Sequence, residues 1–217
     1  MHRDSMSSER NAPRSSGAGK EKKVHEERTT VLQGNYTTAG EGQSTTCQSL
    51  RVPVALFERV TDKTPQESVV EWTRLVGMLT QHDVRTSKDG RLWSPVAYGP
   101  TKARKAENVA EVSCLVLDFD DGARPEELTP AWEEKGLEFV IHTTHSHKPD
   151  EPKWRAIFPL ARAVPASEWG NTYQKLTAHL AGGRADRACK DVSRIYYLPS
   201  CPPELAKLAF AEHHPGR

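Results

Sequence analysis

The run of apolar and polar positions separates an unpatterned beginning from a patterned remainder. Up to about residue 46, apolar residues are sparse and follow no period. Nothing there can offset the entropy of ordering the chain, so residues 1–46 read as a disordered polar tail. The remainder is organised around Cys114-Leu115-Val116-Leu117-Asp118-Phe119-Asp120-Asp121-Gly122, an apolar run that closes on acid-x-acid and a turn. Leu115, Val116 and Leu117 predict a strand buried on both faces. Strand side chains alternate, so Asp118 and Asp120 share a side and Asp121 faces away as turn chemistry with Gly122. Before this strand, residues 51–57 predict a short strand. Thr64-Pro65-Gln66-Glu67 has the form of a capping box, and Val69, Val70, Trp72, Leu75, Val76 and Leu79 follow at helical spacing, predicting a helix to about residue 82. Residues 92–98 predict a strand interrupted by Pro95. Beyond the acidic strand the pattern predicts a helix over 125–135 and two strands, 137–143 and 154–160, joined as a hairpin by a polar loop. A helix over 165–180 follows, with Trp169, Tyr173, Leu176 and Leu180 on one face. A short strand over 194–198 and an amphipathic piece over 203–211 end the pattern. Strands interleaved with helices predict an α+β domain over residues 47–217, built on a mixed sheet with helices packed against it.

Composition narrows this picture. The 217 residues are 36% hydrophobic and 27% charged, with a net charge of +1, so no global basic field announces nucleic acid. Any such affinity must come from a local patch, for which Lys102, Arg104 and Lys105 are the candidates; the plainer account of that cluster is a solvated loop. No apolar run reaches the length of a membrane span and the N-terminus has no signal-peptide core, so the expected location is cytoplasmic with no membrane partner. Cys47, Cys114, Cys189 and Cys201 form no CxxC pair, which speaks against a zinc ribbon or finger and for reduced thiols.

The candidate chemistry sits where apolar strands end. Two carboxylates side by side at a strand end repel unless a cation lies between them, and hard oxygen donors in that arrangement suit Mg²⁺ or Mn²⁺. Two further polar groups abut strands: His145 with His147, and Asp186 with Asp191 and Arg194. Hairpin pairing brings Arg155, inside Trp-Arg-Ala-Ile-Phe, toward the first of these. Each group alone has an ordinary explanation, namely an acidic turn, a surface His-x-His and an Arg194 ion pair with Asp186 or Asp191. Together, two or three carboxylates, one or two histidines and several cations match phosphoryl or nucleotidyl transfer. Carboxylates there hold divalent metals, and Arg, Lys and His neutralise a triphosphate.

At this point the chain resembles the archaeo-eukaryotic primases, in the primase-polymerase branch carried by plasmids, phages and integrated elements. The resemblance lies in Leu-Val-Leu-Asp118-Phe-Asp120-Asp121-Gly, then Thr143-Thr144-His145-Ser146-His147 with Lys153-Trp-Arg155-Ala-Ile-Phe-Pro-Leu. It continues in Asp186-Arg-Ala-Cys-Lys-Asp191-Val-Ser-Arg194-Ile-Tyr-Tyr-Leu-Pro. It covers about residues 50–203 and implies an RRM-like sheet joined to a smaller α/β unit. Asp118, Asp120 and Asp186 would then be the catalytic, metal-holding acids, with Asp191 as the alternative third acid. His147, or His145 in the other register, would contact the nucleotide's phosphates, and Arg155 and Arg194 would be auxiliary phosphate or structural contacts. The implied activity is template-directed nucleotide addition with Mg²⁺ or Mn²⁺. The implied partners are a single-stranded DNA template, NTP or dNTP, and a separately encoded replicative helicase. Two other readings compete. One is a rolling-circle endonuclease using His145 and His147 with Tyr196 or Tyr197 as nucleophile; the other is a nucleotide- or nucleic-acid-binding module without turnover.

Overall fold

The computed structural model describes residues 50–217, so the tail expected over residues 1–46 lies outside the described residues. In chain order the elements are β1 (Arg51–Phe57), β2 (Gln66–Glu71), α1 (Trp72–Leu79), β3 (Asp83–Val84), β4 (Leu92–Ser94), β5 (Val96–Tyr98) and β6 (Val109–Phe119). They continue with α2 (Thr129–Glu134), β7 (Phe139–Thr143), β8 (Trp154–Pro165), α3 (Ala166–Ala181), β9 (Tyr196–Tyr197), β10 (Ser200–Cys201) and β11 (Ala211–His214).

The acidic strand is the centre of this arrangement. β6 is buried from Val112 to Phe119, as its apolar run predicts. It lies between β5 and β8 in a five-stranded sheet of order β11-β7-β8-β6-β5. A second sheet of order β2-β1-β4-β9 stands beside it. Pro95 carries the chain from one sheet to the other, separating β4 from β5 where a donor is missing from the ladder. Ser113 fastens the two sheets: its hydroxyl lies 2.6 Å from the Pro53 carbonyl of β1 and 3.1 Å from the Pro95 carbonyl.

The architecture is α+β, but the expected mixed sheet is not found. Both larger sheets are antiparallel throughout, because β7 and β8 form a hairpin and β8 then runs antiparallel to β6. Among the described residues, the short β10–β3 pair is parallel. The expected helix over 64–82 is also corrected, since residues 66–71 form β2 and the helix begins only at Trp72. Two physical reasons stand out. The Glu67 carboxylate accepts the Tyr98 backbone N–H at 2.7 Å and pairs with Lys102, so it closes no capping box. Val69 and Val70 are β-branched and register against Pro53 and Val52 of β1. Trp72, Leu75 and Leu79 do form the buried stripe of α1.

α3 forms where its periodicity predicts, with Trp169, Tyr173, Leu176 and Leu180 buried and Gly182 closing it at φ +56°. The helix expected over 125–135 is shorter, a 3-10 turn at Pro125–Glu127 and then α2. Of the strand expected over 194–198, Tyr196–Tyr197 is paired. The amphipathic piece over 203–211 holds a 3-10 turn at Pro203–Leu205, after which β11 adds an edge to β7.

Strand register assigns the two faces of the central sheet. Residues directly opposite one another share a face, and neighbours along a strand alternate. Phe119 lies opposite Trp154, and with Phe139, Phe158 and Trp132 of α2 they form an aromatic cluster, the Phe119 and Trp154 rings stacked at 4.2 Å. The Trp132 indole N–H donates to the Leu180 carbonyl at 2.9 Å, tying α2 to α3. The residues one step along, Asp118, Arg155 and His142, fall on the other face as a row across β6, β8 and β7. No helix among the described residues is long and apolar enough to cross a membrane.

Candidate active site

The polar row opens into a groove of about 570 Å³, walled by the ends of β6, β7 and β8 and by the 191–199 segment. Its lining mixes carboxylates (Asp118, Asp120, Asp191) with a larger set of cations (Lys88, Arg104, Lys153, Arg155, Arg194). Such a mixture suits an anion bound together with a cation.

Asp118 is the penultimate residue of β6 and is 5% exposed. Its Oδ2 accepts from Arg155 Nη2 at 2.9 Å, and Arg194 Nη2 stands 3.9 Å away. Its Oδ1 is buried without a partner. Asp120, one step past the strand, also lines the groove. Burial and then the Asp118 charge push its carboxyl above the usual carboxylate range. Two acids that crowd each other in this way favour a cation between them.

Arg155 is buried opposite Asp118 and His142. Its Nη1 donates to the Tyr197 carbonyl at 3.3 Å, and its guanidinium lies 4.9 Å from the Tyr196 ring centroid. Burial opposes the Arg155 charge, but the Asp118 charge and its hydrogen bond, with smaller contributions from Tyr196 and Cys189, together raise the pKa above the ordinary arginine value. Arg194 sits over the same Tyr196 ring at 6.0 Å and donates to Asp186 Oδ2 at 2.9 Å.

The structure places the remaining predicted residues unequally. Asp186 is held at the end of β6, since its backbone N–H donates to the Asp118 carbonyl at 2.8 Å. Its side chain caps a 3-10 turn through Ala188 N–H at 2.9 Å and pairs with Arg194, and it is not part of the groove wall. Asp191 does line the groove, with Oδ1 accepting from both the backbone and the hydroxyl of Ser193. His145 lines the groove with Nδ1 3.2 Å from Ser200 Oγ. His147 stands outside the wall: its Nδ1 accepts the Lys153 N–H at 3.2 Å and its ring meets Phe210 edge-on. Arg104 lines the groove and donates to the Val60 carbonyl at 2.9 Å, whereas Lys102 pairs with Glu67.

Sequence reasoning missed His142, Lys153 and Lys88. His142 left a signal, being a titratable residue inside the apolar run Phe139–Thr143, one step from the loop and directly across the hairpin from Arg155. Lys153 directly precedes β8 and Lys88 sits 5.6 Å over the Tyr197 ring; neither spacing carries a motif. Tyr196, a candidate nucleophile of the endonuclease reading, is buried, and burial raises its hydroxyl well above the ordinary tyrosine value. The Tyr197 hydroxyl donates to Asp89 at 3.1 Å.

As the side chains stand, no three His, Cys, Asp or Glu residues among those described are grouped to hold one metal ion. The donors that fit a divalent cation are the unpartnered Asp118 Oδ1 and the crowded Asp120 carboxylate. Asp186, the third predicted acid, is engaged by Arg194 at 2.9 Å.

A buried acid near a strand end, an arginine across the ladder and a cation-rich groove define the site of this α+β domain. Residues 98–212 match the family described as the VapE N-terminal domain, and the chain belongs to that family. The match takes in every groove residue discussed above except Lys88. No curated protein sequence matches the chain. Among solved structures, it is similar to the AEP domain of the primase-polymerase of cyanophage S-2L. The two are 16% identical, the alignment covers 76% of this chain and 82% of that one, and the TM-score is 0.43.

Proposed function

We propose that residues 47–217 form a nucleotidyltransferase domain acting in phage- or plasmid-type DNA replication, adding NTP or dNTP on a single-stranded DNA template. The family is one of phage and plasmid replication proteins, which supports the setting. The observation that carries the chemistry is Asp118, a buried carboxylate with one oxygen on Arg155 and the other unpartnered, beside Asp120 in a cation-rich groove.

In this reading Asp118 and Asp120 hold Mg²⁺ or Mn²⁺, which when bound neutralises phosphate charge and activates the attacking hydroxyl. Lys153, Arg155 and Arg194 receive the triphosphate and stabilise charge as pyrophosphate leaves. His145, on the groove wall, takes the phosphate-contact role in place of His147. A second ion, and with it the two-metal form of the reaction, requires Asp186 to exchange Arg194 for metal. Arg194 would then be free to meet the phosphates. The central β6-α2-β7-β8-α3 order, with β7-β8-β6 adjacent, supports an RRM-like core. A separately encoded helicase would supply the single-stranded template in the cytoplasm.

The test is incorporation of labelled nucleotides on single-stranded or primed templates with Mg²⁺ or Mn²⁺, with the Asp118→Ala, Asp120→Ala double variant as control. Metal-dependent products that the double variant fails to make are expected. A folded wild-type protein that makes none across templates and metals refutes the reading. The pairing of Asp186 with Arg194 favours a second reading, a nucleotide-binding module without turnover. That module would bind triphosphate in the same assay mixture and yield no product.

A further inference from the structure

His142 stands in the groove wall yet is 0% exposed. Its Nδ1 lies 3.0 Å from the Thr143 carbonyl oxygen. A carbonyl only accepts, so Nδ1 carries the proton. Burial, then the Arg155 charge, lowers the imidazole pKa to about 3, which keeps the ring neutral at physiological pH. A neutral ring with its proton on Nδ1 has a bare lone pair on Nε2. That atom is buried and has no partner. The groups around it are accounted for. His82, edge-on at 6.2 Å, is bonded to Thr143; Arg155 is directed to Asp118 and Tyr197; and Asp118 lies one strand further on.

A buried acceptor without a donor costs about 1–3 kcal/mol, and it is stabilised by whatever supplies one. Phosphate supplies none, because its oxygens accept. A metal ion is disfavoured because this neutral ring stands directly across the ladder from the Arg155 guanidinium and lacks the carboxylate charge that offsets it at Asp118. What remains is a neutral N–H or O–H. His142 stands one strand, about 4.8 Å, from Arg155, which in the proposed reading meets the phosphates. In a nucleotide the group that adjoins the α-phosphate is the sugar, with the base beyond it.

We infer that His142 is a substrate-contacting residue whose Nε2 accepts a hydrogen bond from a sugar hydroxyl of the bound nucleotide. The inference rests on the reading of the groove as a nucleoside triphosphate site. The role belongs to the nucleotide's sugar, separate from the metal at Asp118 and Asp120 and from the phosphates at Lys153 and Arg194.

The test is equilibrium binding by the full chain, with Mg²⁺ present, of ATP, 2′-deoxy-ATP, 2′,3′-dideoxy-ATP and inorganic tripolyphosphate. For wild type, affinity is expected to fall about tenfold at one step of the hydroxyl series. The step identifies the hydroxyl. His142→Phe should flatten the series while leaving tripolyphosphate binding unchanged, and His142→Gln, which keeps an acceptor, should restore part of the step. If His142→Phe does not fold, the wild-type ¹⁵N resonance of His142 Nε2 decides: it should move on adding ATP and stay in place with the dideoxy analogue. A flat wild-type series with tripolyphosphate and ATP both bound overturns this inference and leaves the triphosphate reading intact. Failure to bind either of those ligands overturns the reading beneath it. A step that follows the base when UTP replaces ATP overturns the sugar assignment. So does a loss of Mn²⁺ affinity in nucleotide-free His142→Phe.

Discussion

Replacing Arg155 with methionine tests the electrostatic arrangement at its centre. The side chains of Arg155 and Asp118 are 10% and 7% exposed, and their 2.9 Å contact is shielded from solvent. Methionine keeps most of the volume and removes the charge, so Asp118 is left buried with a single cation, Arg194, at 3.9 Å and already engaged by Asp186. Breaking one side of a buried pair costs about 3–5 kcal/mol, because the remaining charge stays desolvated. The lost bond to the Tyr197 carbonyl and the stacking on Tyr196 act in the same direction. For a domain of this size the expected fall in melting temperature is about 10 °C. Urea unfolding at neutral pH reads the change directly, provided the slopes of wild type and variant agree. The double variant Arg155→Met, Asp118→Leu removes both charges and should recover most of the loss. A cost below about 1 kcal/mol for Arg155→Met would show that Asp118 is solvated or otherwise paired. A double variant as unstable as the single one would refute the pairing argument outright.

Three further outcomes are expected. Because the folded pKa of His142, about 3, lies below its ordinary 6.5, the unfolded chain takes up a proton that the folded chain refuses. Stability from this residue is therefore complete above pH 6.5 and declines as pH falls from there toward 3, by roughly 2 kcal/mol near pH 5. Urea titrations at the two pH values should show the decline in wild type and a smaller one in His142→Phe. Trp132→Ala should cost about 3–5 kcal/mol by urea unfolding, since the ring is 1% exposed and touches Phe119, Phe139, Trp154 and Phe158. Gly182→Ala should cost about 1 kcal/mol in thermal unfolding. An added Cβ there meets nothing within 4 Å, so the cost is that of a φ of +56° alone.

The elements that sequence periodicity predicts well are those whose partners are supplied by their own burial. β6 is buried on both faces, so an unbroken apolar run is its full signature. α3 has one buried stripe, and the four residues that define it are the ones the spacing names. β2 shows where this logic ends. Thr64-Pro65-Gln66-Glu67 carries every local mark of a helix start, but Glu67 is drawn to the Tyr98 backbone and Lys102, more than thirty residues away. Local capping then loses to a strand edge offered by β1. β3, β10 and β11 are short and largely exposed or borrowed onto edges, so their apolar period is too brief to read.

The candidate site divides along the same line. Alternation brings Asp118 and Asp120 to one groove, because Asp120 follows directly on the strand whose end carries Asp118. The hairpin by itself brings Arg155 only toward the His145–His147 loop; its place opposite Asp118 comes from the β6–β8 pairing, which no local pattern states. Register is the missing quantity for the rest. A slip of one residue in the β7–β8 pairing would turn His142 to the aromatic face and bring Thr143 opposite Arg155. Register is set by the fit of Trp154, Phe158 and Phe139 into the cluster around Trp132, a packing property of the opposite face. The aromatic face therefore determines which polar residues reach the groove, and the His142-Arg155-Asp118 row is its consequence. The choice between His145 and His147 depends on the turn that bonds His147 to Lys153, a contact no spacing rule contains. Likewise, Asp186 and Asp191 look equivalent along the chain. They differ because the Asp186 backbone is fastened to Asp118 and its carboxylate to Arg194, while Asp191 reaches the wall. The third acid of any metal site is thus a question of which partner Arg194 keeps. In the proposed transferase Arg194 would have to release Asp186, and in the binding-module reading it would keep it.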